Sequence, residues 1–187
     1  MKKIHFCLFF ILFIFTMCNK SNNKLTENQK GAHKLDTVFV TYCYGNVDTS
    51  VAFDCEMFEK IQKQHEKNDY SSSGSRFIDT VIVDSQVLNQ LEKSIFVKLG
   101  AEEFHGDIRM FATLKYLDGY RDEICIDAFG QLMKFNGSPF YINSETLFLL
   151  RNYSGYYRWF DDVEKERFSE LKDTSFNGDS VAIDRQK

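Results

Sequence analysis

Residues 37–44, TVFVTYCY, form a β-branched and aromatic run with no alternating polar face, and the run stops at Gly45-Asn46. Such a segment predicts a strand covered on both faces. From Asp54 the period changes. Phe58, Ile61 and His65 share one helical stripe, Asp54 stands where an N-cap belongs, and Glu56/Lys60 and Glu59/Lys63 are four apart in the favourable order. An amphipathic helix is therefore expected, ending in the Ser-rich stretch 68–75. Residues 77–83 read as a second strand. Asp84 or Ser85 then caps a helix whose Leu88, Leu91, Ile95 and Leu99 recur at spacings of three and four, with Gly100 as its stop.

Residues 107–117 alternate, with Ile108, Met110, Ala112, Leu114 and Tyr116 on one side. A two-residue turn at Asp118-Gly119 would set Met110, Ala112 and Leu114 against Asp127, Cys125 and Glu123. A three-residue loop of Leu117, Asp118 and Gly119 instead pairs Tyr116 with Tyr120, Ala112 with Ile124 and Met110 with Ile126. Only the second register matches apolar to apolar, and it requires Gly119 in a left-handed conformation. Residues 131–135 and 140–142 flank Asn136-Gly137, a second hairpin signal, and Pro139 is expected to confine the last strand to a sheet edge. Beyond it, Ser144 begins a helix through Asn152. Tyr156, Trp159, Phe160 and Val163 continue the helical spacing, and Asp161 with Glu164 offers a capping box as a later start. This order predicts an α+β fold, a mostly antiparallel sheet with amphipathic helices packed on one face, in a single domain over residues 35–171.

Outside that domain the chain changes character. Lys2 and Lys3 precede an apolar run of fourteen residues, Ile4 to Met17, and Cys18 stands where polar residues begin. The run is too short to span roughly 30 Å of hydrocarbon, so residues 1–17 read as an export signal. Phe15-Thr16-Met17-Cys18 resembles the cleavage site of bacterial lipoproteins, with Phe15 and Met17 in place of the usual aliphatic and small residues. The resemblance implies an acylated Cys18 at the new N-terminus, membrane attachment through that lipid, and a cell-envelope location facing the periplasm or exterior. Residues 18–34 are then a flexible tether and residues 172–187 a disordered tail.

Nineteen Phe and nine Tyr suffice for a core, and loss of Lys2 and Lys3 takes the net charge from -4 to -6, with 21 basic against 27 acidic residues. No basic cluster with interleaved aromatics is present, so nucleic acid is not an expected partner. Within the domain lie Cys43, Cys55 and Cys125. Cys43 and Cys55 could close a short disulfide loop; alternatively all three are buried thiols.

The densest polar cluster is Glu102, Glu103, His105 and Asp107, where His105 and Asp107 are the candidates for metal binding, and His65 and His105 are the two candidate bases; a wet loop is the ordinary alternative. No nucleophile elbow, zinc-helix motif, phosphate loop or dinucleotide fingerprint occurs, and no cofactor is expected. Tyr153, Tyr156, Tyr157, Trp159 and Phe160 form the candidate contact surface for a protein or glycan, with core packing as the competing use of the same residues. Three functions follow: a tethered non-enzymatic binding module, an inhibitor or immunity-type protein directed at an exported toxin, and a hydrolase with an unrecognised site.

Overall fold

Strand β1 (Leu35–Cys43) lies inside a seven-stranded antiparallel sheet in the computed structural model, which describes residues 33–43, 52–66, 76–95, 99–101, 103–104, 106–173 and 175. Residues 1–32, with Cys18 and the expected export signal, and most of residues 172–187 lie outside the described residues. Helix α1 (Cys55–Glu66), β2 (Phe77–Ile82), α2 (Ser85–Ile95) and the two-residue β3 (Leu99–Gly100) come next. A meander follows: β4 (Ile108–Tyr116), β5 (Arg121–Asp127), β6 (Leu132–Phe135) and β7 (Ser138–Tyr141). Helix α3 (Ser144–Tyr153), a 3-10 turn (Tyr156–Trp159), the short α4 (Asp162–Lys165) and a last 3-10 turn (Ser169–Leu171) complete the chain order. The sheet order is β2-β1-β4-β5-β6-β7-β3, and the α+β class is as the element order predicts.

The first hairpin has the three-residue register. Met110 faces Ile126, Ala112 faces Ile124, and the Tyr116 N–H donates to the Tyr120 carbonyl at 3.0 Å. Gly119 has φ +86. A branched side chain is strained there, so Gly119→Val should cost at least about 1 kcal/mol. An unchanged urea midpoint would contradict this. The second hairpin turns at Asn136 (φ 47) and Gly137 (φ 80), both in the left-handed region that a two-residue turn of this hand needs.

One face of the sheet carries Val38, Val40, Tyr42, Met110, Ala112, Leu114, Ile124, Ile126 and Met133, and α2 and α3 close over it. Val87, Leu88, Leu91 and Ile95 point inward from α2, each worth about 1.5–3 kcal/mol of apolar burial. Its cap is Asp84, whose carboxylate accepts from the Gln86 and Val87 N–H groups.

Helix α1 departs from the one-face expectation, because it crosses the opposite face. Phe58 packs there with Cys43, Ile108, Phe111 and Cys125. Gln62 is buried and bridges two strands, accepting from Thr113 Oγ1 at 2.6 Å and donating to Thr41 Oγ1 at 3.0 Å. Thr41 Oγ1 in turn donates to Asp79 at 2.6 Å, and Asp79 meets His65 at the last turn of α1. Asp54 caps the helix through the Met57 N–H, and the Glu56–Lys60 and Glu59–Lys63 pairs both form.

The cysteine pairing also differs from the one considered above. Cys55 is bonded to Cys125 and Cys43 is a free, buried thiol. Cys55, at the first turn of α1, is set down on β5 rather than beside β1, and the Cα atoms of the bonded pair are 5.8 Å apart. Three smaller corrections share a cause, namely neighbours distant in sequence. Helix α2 ends at Ile95, so Leu99 and Gly100 belong to β3. β7 is not an edge, since β3 pairs with Tyr141 and Phe140, while Pro139, which lacks an N–H, only accepts from Ala101. Helix α3 is capped by Asn143, not Ser144.

Candidate binding site

The strands run between two ends of the sheet. Leu35, Tyr116, Arg121 and Ile82 mark one, where the chain enters at His33; Tyr42, Met110, Ile126 and Phe77 approach the other. Tyr42 is seven residue steps along β1 from Leu35, about 23 Å in an extended strand. The candidate site is built at the end away from His33.

Trp159 is placed there by the 3-10 turn, which the chain enters through Gly155 at φ +76. Its indole N–H donates to the Tyr42 hydroxyl at 3.1 Å. The Tyr42 hydroxyl and Thr80 Oγ1 both donate to the Ser154 carbonyl. Trp159 is therefore oriented by the strands beneath it and remains 40% exposed. The rest of the aromatic run has a different fate. Tyr156, Tyr157 and Phe160 are buried in the core and cluster with Phe168, and Tyr153 is half-buried against it. Of the five candidate contact residues, packing claims three.

Beneath this cluster Arg151 is 2% exposed, and its guanidinium carbon is 5.0 Å from the ring of Tyr156 and 5.2 Å from that of Phe168. Its guanidinium bonds Glu170 at 2.6 Å, and the Tyr157 hydroxyl donates to the same carboxylate oxygen at 2.9 Å. Burial works against the guanidinium charge, but the oxygens of Tyr156, Glu170 and Tyr157 outweigh it and raise the Arg151 pKa. Gly130 (φ +67) presses on this pair. A Cβ there would lie 2.6 Å from Leu147 Cδ2 and 2.9 Å from Arg151 Nη2, so only glycine fits.

Gly130 also begins the wall of a cleft of 280 Å³, completed by Gln131, Tyr141, Ile142, Ser144, Leu147 and Ser169. None of the seven is charged. Phe129, in the turn beside it, is 82% exposed and Tyr141 is 54% exposed. Hydroxyls, an amide and an aromatic ring at one opening suit a neutral polar ligand or a polypeptide surface.

The acidic loop is described only in part. His105 and Glu102 lie outside the described residues, and Asp107 has a positioning task. It accepts the Phe53 N–H at 2.7 Å and pairs with Arg109, tying the start of α1 to β4. Among the described residues no group of three His, Cys, Asp or Glu could hold a metal ion. Cys43 lies 4.0 Å from Arg109 Nη1, and burial pushes its thiol up against the pull of that cation.

Phe129, Gly130 and the Arg151–Glu170 pair were not found by sequence reasoning. A single phenylalanine in a turn carries no period, and the ion pair joins residues whose meeting only the tertiary fold decides.

Burial first, and then Glu170, pushes the Tyr157 phenol up; burial and the Asp122 carboxylate do the same to Tyr116, and burial raises Tyr156. In the unfolded chain these phenols ionise near pH 10 while the folded ones keep their protons. Stability is thus complete below about pH 10 and is lost above it, by about 1.4 kcal/mol per tyrosine per pH unit. Urea midpoints measured between pH 8 and 11 would check this, and a flat profile would contradict it.

Comparison with protein-family models, curated proteins and solved structures yields no match to this chain.

Proposed function

We propose that this protein is a membrane-tethered lipoprotein of the cell envelope that acts as a non-enzymatic binding module. The leader ending at Cys18 supports the address. The observation that carries the molecular role is the pairing of an uncharged cleft with exposed Phe129 and Trp159 at the end of the sheet opposite His33. Trp159 is oriented by the Tyr42 hydroxyl, and the aromatic core fixes the turn that carries it, so little side-chain entropy is lost when a partner covers it. The partner is an envelope protein or glycan.

Affinity capture on the full-length, detergent-solubilised protein tests the reading. The wild type should retain one envelope component in stoichiometric amount, and Phe129→Asp with Trp159→Ala should lose it at an unchanged melting temperature. Equal retention by the variant would remove this end from consideration as the site. For the anchor, Cys18→Ser should move the protein out of the membrane fraction and abolish palmitate labelling; persistent labelling would refute acylation at this residue.

A further inference from the structure

We propose that the tip of the β4–β5 hairpin is a lipid-contacting surface, which sets the domain down on the anionic bilayer that holds Cys18; this rests on the anchor reading given above. Leu117 is 65% exposed and Tyr120 is 48% exposed, and they flank Asp118-Gly119. The turn needs its glycine, but nothing in turn geometry needs a leucine and a tyrosine beside it. Both are side chains that partition favourably at a membrane interface.

The point where the chain enters the fold selects the occupant. The Leu117 N–H donates to the Lys34 carbonyl at 2.9 Å, the His33 ring stacks on Tyr120 with centroids 4.9 Å apart, and His33 pairs with Asp118. The tip and the entry of the chain are therefore one structure. Fourteen residues separate Cys18 from His33, and no chain of that length can span more than about 50 Å. The chain enters the fold at this end of the sheet, and the opposite end stands about 23 Å further along the strands. Lys34 and Arg121 are exposed beside the tip and face anionic headgroups favourably, while the Asp118 carboxylate is engaged by His33.

The test uses the acylated full-length protein in vesicles of phosphatidylethanolamine and phosphatidylglycerol with brominated acyl chains, which quench a nearby indole. In a Tyr120→Trp, Trp159→Phe variant the indole should lose emission on brominated vesicles relative to unbrominated ones. The wild type, whose indole is at the far end, should keep its emission. Adding Leu117→Asp should restore the emission of the first variant. Leu117→Trp in the Trp159→Phe background gives a second probe of the same tip should Tyr120→Trp disturb the His33 stack. Protein that floats with the vesicles but shows equal emission from both ends overturns the lipid contact and leaves the anchor intact. Protein that fails to float overturns both.

Discussion

Replacing Glu170 by Ala should destabilise the domain by about 3–5 kcal/mol, because it strands a buried charge. Arg151 and Glu170 are each about 2% exposed, and the rings of Tyr156 and Phe168 pack against the guanidinium. Its Nε already lacks a partner, so no neighbour stands ready to replace the lost carboxylate. The Tyr157 hydroxyl would lose its acceptor in the same step. Domain stabilities are usually about 5–15 kcal/mol, so this one change consumes a large share of the total. Glu170→Gln keeps an acceptor and should lose less, whereas replacing both partners with apolar residues of similar volume should recover most of the loss. Urea unfolding with an unchanged slope measures it. A loss under about 1 kcal/mol for Glu170→Ala would mean that water reaches the pair.

Removing the Cys55–Cys125 bond is the second large effect. The bonded residues are 70 apart in sequence, and opening a loop of that length restores roughly 4 kcal/mol of chain entropy to the unfolded state. Cys55→Ser, Cys125→Ser and the double variant should lose the same amount, since either sulfur alone is useless. Reductant should lower the melting temperature of the wild type and leave all three variants unmoved. Additive losses from the two single variants would show that the sulfurs contribute as packing, not as a bond.

The first hairpin was legible to the register because one loop length alone matched polarity across the strands. Caps at Asp54, Asp84 and Asp161 were equally plain, each a short acidic side chain directly before a periodic stretch. The placement of α1 was not. Thr113 on its strand and Gln62 on its helix look like solvent-facing positions, yet they are buried and satisfy one another. Polarity reports exposure only where a polar group has no protein partner. The same blindness hid the disulfide, because Cys125 lies on the face that alternation assigns to water until a helix covers it. Of the candidate site, Trp159 was visible as an aromatic at a helical spacing. Its exposure beside the buried Tyr156 and Tyr157 is decided by the tertiary packing, which spacing along the chain does not report.

The position of β1 has a kinetic consequence. It is the first strand in the chain and yet sits between β2 and β4, and its ladder to β4 joins Val38 to Leu114. That pairing closes a long loop before it gains any contact, whereas β4 to β7 close through turns of a few residues. The meander is expected to assemble first and to offer the open edge of β4 as the template that captures β1. Val38→Ala should accordingly speed unfolding more than it slows refolding, with the reverse for Ile124→Ala. The ladder that holds the two halves of the sheet together is thus the last to close and the first to open.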